Sequence, residues 1–276
     1  VIAVKGDKDV VSRVSAVYDA EPRRSFIVAL RDIPEIWEIP YADNPRPVPV
    51  GLIHNHEEGL KEGAFDRGPF PVRRIRLEEA IDDFFFDSSY ANLIGASRDG
   101  GRGQVVNLNV GRKIAEVALP GMPHLGSGIT FEYEGRLVLA TPHLKEGAVS
   151  IVDMKDWRTI KRIATAGPGF FMRSHENTPY AWVDSFLSPA KDTLQVIDKR
   201  TLEIVRTVTP APGRTAAHVE FTRDGRYALV SVWEDDGALV VYDAATFEEV
   251  KRLAMRKPSG KYNVHNKITR SAGTSH

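Results

Sequence analysis

The 276 residues contain no cysteine. Disulfides, thiolate catalysis, iron–sulfur clusters and covalent haem attachment through Cys-x-x-Cys-His are therefore excluded within this chain. No apolar run approaches the roughly 20 residues that a helix needs to span a bilayer. Charge of one sign is not in excess either, since 37 Lys and Arg stand against 37 Asp and Glu. A net charge of zero gives no electrostatic footprint for nucleic acid. The basic stretches, Arg73-Arg74-Ile75-Arg76 and the tail over 251–270, read as solvated edges. A His-Glu-x-x-His metal motif is absent, and so is any helical pattern of apolar residues.

What the chain does have is a repeat. Strands end in Val-Asn, Val-Asp, Ile-Asp or Tyr-Asp at Asn107, Asp153, Asp198 and Asp243, which lie 46, 45 and 45 residues apart. Seven residues after each anchor comes a branched aliphatic: Ile114, Ile160, Val205 and Val250. This period, with four short strands per unit, is the pattern of β-propeller blades. The last unit is the clearest. Residues 217–221 alternate, Thr222-Arg223-Asp224-Gly225-Arg226 turns, and 227–233 is apolar. After Glu234-Asp235-Asp236-Gly237, strands over 238–242 and 249–253 complete a set of four, a to d. The same order fits 129–163 and 170–208 and, more loosely, 84–117, with an earlier unit over 14–39. Each anchor carboxylate suits the backbone N–H groups of the c-to-d turn, a structural role.

About five blades in one all-β body are therefore expected, with 42% apolar residues to fill the seams between them. The segment 54–76 breaks the period. It is rich in Gly, Pro and charge and reads as an inserted surface loop, with His54 and His56 solvated beside Glu57 and Glu58. The chain starts at Val1 already inside repetitive sequence. That predicts a further N-terminal portion, which would also carry any export signal.

In a propeller the d-to-a and b-to-c connections share one face and the a-to-b and c-to-d turns the other, which sorts the histidines. His124 lies on a d-to-a connection, His143 ends a strand b, and His218 opens a strand a, so all three belong to one face. His175 falls in an a-to-b turn on the opposite face, and His276 is terminal. Three imidazoles at one channel mouth suit metal ligation, a tetrapyrrole iron or proton transfer. Three unrelated loop histidines are the plain alternative. Glycines recur just before strand a (Gly121, Gly126 and Gly128; Gly167 and Gly169; Gly213), where backbone could approach a flat ligand. The tail 255–276 follows the last outer strand, and its Tyr262 could fold back to present a phenol at the channel.

Three stretches carry a family resemblance. They are Met122-Pro123-His124-Leu125-Gly126-Ser127-Gly128, Phe170-Phe171-Met172-Arg173-Ser174-His175-Glu176-Asn177-Thr178 and Lys257-Pro258-Ser259-Gly260-Lys261-Tyr262-Asn263-Val264. Together they resemble the haem d1 propeller of the cytochrome cd1 nitrite reductase family, and within it the NirN-type, dihydro-haem d1 dehydrogenase branch. The likeness covers nearly the whole chain, which would then be the C-terminal part of the propeller. It implies eight blades, a tetrapyrrole in the channel and a preceding cytochrome c domain. That portion would hold a c-type haem and the proximal ligand of the d1 iron, in a periplasmic protein.

The resemblance also implies roles. The nitrite reductases protonate nitrite with two distal histidines; one position matches His124, while the other falls where this chain reads Glu79-Ala80-Ile81-Asp82-Asp83-Phe84, without histidine. The distal iron ligand of the dehydrogenase branch matches His218, and the catalytic pair would be His124 and Tyr262. The implied reaction removes two hydrogens from a propionate of dihydro-haem d1, giving the acrylate of haem d1, with the electrons passing to the c-type haem. Arg214 is the implied clamp for a tetrapyrrole carboxylate, and Arg173 a second. Two rivals stand beside this reading. One is a nitrite reductase borrowing His143 as its second distal histidine. The other is a non-catalytic, NirF-type carrier of haem d1. Cytochrome cd1 nitrite reductase and other haem d1 maturation proteins would be partners.

Overall fold

The computed structural model describes residues 2–6, 9–54, 61–97 and 101–259. Five four-stranded antiparallel sheets follow one another along the chain. The first contains β1 (Val14–Ala20), β2 (Ser25–Leu30) and β3 (Glu35–Pro40); after a hairpin of β4 (Val48–His54) and β5 (Lys61–Asp66) it is completed by β6 (Arg73–Arg76). The second is β7 (Asp83–Phe86), β8 (Asn92–Ala96), β9 (Arg102–Asn107) and β10 (Arg112–Ala118). The third is β11 (Ile129–Tyr133), β12 (Arg136–Pro142), β13 (Ala148–Asp153) and β14 (Arg158–Ala164). The fourth is β15 (Met172–Ser174), β16 (Tyr180–Asp184), β17 (Leu194–Asp198) and β18 (Glu203–Val208). The fifth is β19 (Ala216–Phe221), β20 (Tyr227–Val232), β21 (Ala238–Asp243) and β22 (Glu249–Ala254). These are consecutive β-propeller blades, as the repeat predicts.

Both halves of the repeat signal have a physical cause. Asn107 Oδ1 accepts the N–H groups of Asn109 and Val110, Asp153 those of Lys155 and Asp156, and Asp243 those of Ala245 and Thr246. Asp198 accepts the N–H of Arg200. Each c-to-d turn is thus closed by one side-chain oxygen. The aliphatic seven residues later is the bulged residue of strand d. The register skips Ile114 in β10, Ile160 in β14, Val205 in β18 and Val250 in β22. Ile114, Val205 and Val250 are exposed, while Ile160 packs partly buried against the third seam, so what this part of the repeat encodes in common is a bulge that sharpens the twist of the outer strand, not a shared core position.

The cores lie in the seams between blades, because alternating strand residues point to opposite faces. Phe84 and Phe86 pack towards the first blade with Ile27 and Ile36. Phe85, between them, packs towards the third with Leu125 and Leu139. Ile151 and Val183 share the third seam, and Trp182, Phe221 and Tyr242 the fourth.

The segment 54–76 departs from the expected loop. The interruption of the period is a β-hairpin over 48–66, and Arg73–Arg76 is the outer strand of the first blade, paired with β3. Arg73 and Arg74 are not merely solvated charges. Arg74 makes two bonds to Glu35, and Arg73 bonds Glu38 and the Leu108 carbonyl. Glu35 and Glu38 are buried and need those cations.

Candidate functional site

His124 is fixed on the d-to-a connection between the second and third blades. Gly121 at φ 89° and Met122 at φ 57° turn the chain through the left-handed region. Pro123 then bridges to His143, and the His124 N–H donates to the Pro142 carbonyl at 2.8 Å. A buried 3-10 turn, Leu125–Ser127, follows. Its Gly126 N–H donates to Asp83 Oδ2 at 2.6 Å. The ring is therefore presented by backbone tied to two neighbouring blades.

The imidazole Nδ1 lies 2.6 Å from the carbonyl oxygen of Phe170. A carbonyl can only accept, so Nδ1 carries the proton and the lone pair sits on Nε2. Phe170 belongs to the next d-to-a connection, which runs close to the end of β16. A Cβ on Gly169 would stand 2.4 Å from the Asp184 carbonyl oxygen, so only glycine fits there.

His218 lies in β19 at φ 55°. The register with β20 skips His218 and Val219, so the imidazole is carried on a bulge at the channel-side strand. Its ring meets the edge of Phe171, with centroids 4.5 Å apart. Phe171 is 4.7 Å from Phe170, whose ring is 4.0 Å from His124. Phe186 and then Trp233 extend the group, and Trp233 is 41% exposed. The two histidines thus belong to one aromatic wall, on the face that carries the d-to-a and b-to-c connections.

The residue that joins them was not anticipated from sequence. Asp184, fully buried at the end of β16, accepts the N–H of Phe170 at 2.7 Å, that of Phe171 and that of His218 at 3.4 Å. Burial pushes its carboxyl up to about 7, against the downward pull of those backbone N–H groups. No local pattern marks it, since its donors lie 14 and 34 residues away. The Gly167 and Gly169 approach was the one legible sign of this neighbourhood.

Other expected site residues stand differently. His143 is 0% exposed, against 8% for His124 and 5% for His218. Its Nε2 is 2.8 Å from Ser150 Oγ, so it is a packed interior group of the third blade, not a ligand at the mouth. Burial, aided by the charge of Arg162, pushes its pKa down to about 4. Glu146 and the Pro120 and Gly121 carbonyls oppose that shift, although neither carbonyl has hydrogen-bond geometry to Nδ1. Arg214 is on the expected face and half-exposed, but its guanidinium is held by Asp236 at 2.6 Å. Arg173 is buried on β15, 3.6 Å from Glu220 on the neighbouring β19. His175 is on the opposite face, as expected, where its Nδ1 accepts the Asn177 N–H and its Nε2 donates to the Arg223 carbonyl. Tyr262, His56 and His276 lie outside the described residues. Among the described residues no three His, Cys, Asp or Glu side chains gather to hold a metal ion.

A family model described as the cytochrome D1 heme domain matches residues 2–267. The chain belongs to this family. Within the family, it is 52% identical over 265 residues to the dihydro-heme d1 dehydrogenase of Pseudomonas aeruginosa, covering 96% of this chain and 49% of that one. It is 29% identical over 254 residues to protein NirF of the same organism, covering 92% of this chain and 60% of that one. A solved structure of dihydro-heme d1 dehydrogenase NirN in complex with DHE superposes with a TM-score of 0.84 at 49% identity, over 97% of this chain and 52% of that one. The chain thus spans about half the length of the dehydrogenase relatives it matches.

Proposed function

We propose that this chain forms the tetrapyrrole-binding part of an enzyme that oxidises a propionate side chain of dihydro-haem d1 to the acrylate of haem d1. The observation that carries the reading is the His124 bond to the Phe170 carbonyl, which makes Nε2 the basic nitrogen. It stands beside a wall of aromatic rings suited to a flat macrocycle. The likeness to a dihydro-heme d1 dehydrogenase and to a DHE complex supports the choice of substrate.

Removing two hydrogens releases two protons and two electrons. His124 takes one proton from the propionate side chain, and the second leaves to solvent by way of Tyr262, acting by hydrogen bond or relay. His218 supplies the distal imidazole for the substrate iron. A c-type haem, which this cysteine-free chain cannot attach covalently, would receive the electrons from outside it. Phe170, Phe171 and Phe186 orient the macrocycle and exclude water. Arg214 can reach a substrate carboxylate only by leaving Asp236, which is an exposed and weakly held partner. Cytochrome cd1 nitrite reductase is the natural consumer of the product.

His124→Ala in the full-length protein is expected to abolish conversion while leaving tetrapyrrole binding in place; unchanged turnover would refute the assignment. The second reading, a haem d1 carrier, is favoured by the 29% identity to NirF. Tight binding of dihydro-haem d1 by the full-length protein without oxidation, with an electron acceptor present, would establish it instead.

A further inference from the structure

We propose that Asp184 is the positioning residue of this site, holding the carbonyl that orients His124 and the backbone bulge that carries His218 in one fixed arrangement. This rests on the function proposed above and adds a residue to it. The carboxylate contacts backbone, not substrate, so its action is through others.

The geometry is a branched chain of hydrogen bonds. From His124 Nδ1 the path runs to the Phe170 carbonyl, and from the Phe170 N–H to Asp184 Oδ1. On the other side, Asp184 Oδ2 takes the N–H of His218. The Phe171 N–H, between the two branches, reaches both oxygens, and its ring touches His218. The connection that carries Phe170 and Phe171 and the bulge of β19 that carries His218 therefore converge on one buried acceptor. Backbone donors that lose a buried acceptor are costly to leave without a partner, and Asp184 accepts all three of these N–H groups at once. A shift of the Phe170 carbonyl would move the imidazole it holds, and a relaxed bulge would re-aim the second imidazole.

Asparagine tests this with little change in volume. It offers one acceptor oxygen in place of two and brings two N–H donors into a site already filled with donors. In full-length protein with 15N-labelled histidines and no tetrapyrrole, Asp184→Asn is expected to shift the ring resonances of His124 and His218 together. Those of His143 and His175, which do not touch Asp184, should stay in place. With tetrapyrrole bound, turnover should fall at least about tenfold, with an altered haem spectrum and a KM changed far less than kcat. A folded Asp184→Asn protein whose His124 and His218 resonances are unmoved would overturn the proposal. Should that variant fail to fold, hydrogen exchange in the unaltered protein decides. The Phe170, Phe171 and His218 amides should exchange slowly and together, and rapid exchange of Phe170 and Phe171 at open-loop rates would overturn it. A wild type that binds but never oxidises the substrate would remove the dehydrogenase reading alone, because the histidine resonances still report on Asp184.

Discussion

His124 and Phe170 are coupled twice, by a 2.6 Å bond from ring nitrogen to carbonyl and by a 4.0 Å ring contact tilted at 51°. The first contact belongs to the backbone and survives substitution; the second does not. Phe170→Ala should therefore keep the tautomer of His124 yet loosen its ring. Turnover is expected to drop roughly 10- to 100-fold, the scale of a small misplacement of a reacting group. Binding of the tetrapyrrole should weaken less. Equal kcat values for wild type and variant would show that the ring contact does not orient the base.

Arg214 and Asp236 make a second testable pair. Arg214 is half-exposed and Asp236 exposed, so breaking the pair should change folding stability by less than about 1 kcal/mol. Asp236→Ala removes the carboxylate but keeps the backbone carbonyl that also accepts from Arg214 at 2.9 Å, so the loosened guanidinium should tighten tetrapyrrole binding a few-fold at low salt. In an Arg214→Ala background the same change should have no effect, which a double-mutant cycle of dissociation constants measures. Gain of affinity without Arg214 would remove it as the clamp.

The buried His143 gives stability a pH dependence of known sign. Its pKa is about 4 when folded and near the ordinary 6.5 when unfolded, so between those values the unfolded chain takes up a proton that the folded protein refuses. Stability from this group is complete above about pH 6.5 and is lost towards pH 4, by up to roughly 3 kcal/mol. Asp184 has a raised pKa and works in the opposite direction. The contrast needed is thus between wild type and His143→Gln in urea melts from pH 4 to 8. The variant should lack this acid-side loss, and parallel curves would contradict the burial account.

The anchors should be graded by burial. Asp153 is 0% exposed and also bonds Arg136, whereas Asp243 is half-buried and bonds the N–H groups of its turn. Asp153→Ala should cost on the order of 1–3 kcal/mol, because it removes the acceptor of two turn N–H groups and of Arg136 together. Asp243→Ala should cost less, and Asp153→Asn, which keeps one acceptor oxygen, should fall between wild type and Asp153→Ala. Denaturation midpoints check the order.

Much of the fold was legible because blades repeat the same local physics. The turn anchors act over two or three residues, so the Asp153 and Asp243 bonds could be named in advance. The spacing to Ile160 or Val250 was equally visible, but its meaning was not. An exposed bulge and a buried position look alike as branched aliphatics until the register is known. The hairpin over 48–66 was hidden for the opposite reason, since Gly, Pro and charge there resemble a loop and its pairing is with itself.

Chain order alone decided which face each histidine occupies, because strand a to strand d alternate direction and connections of one type share a rim. It also decided that this chain brings no thiol chemistry to the site. Only the folded molecule separated His143, sealed behind Ser150, from His124 and His218, and only it revealed Asp184 between them. The reason is range. Turn and strand preferences act between near neighbours, whereas enclosure of a side chain and convergence of distant N–H groups on one carboxylate exist only once separate blades have packed together.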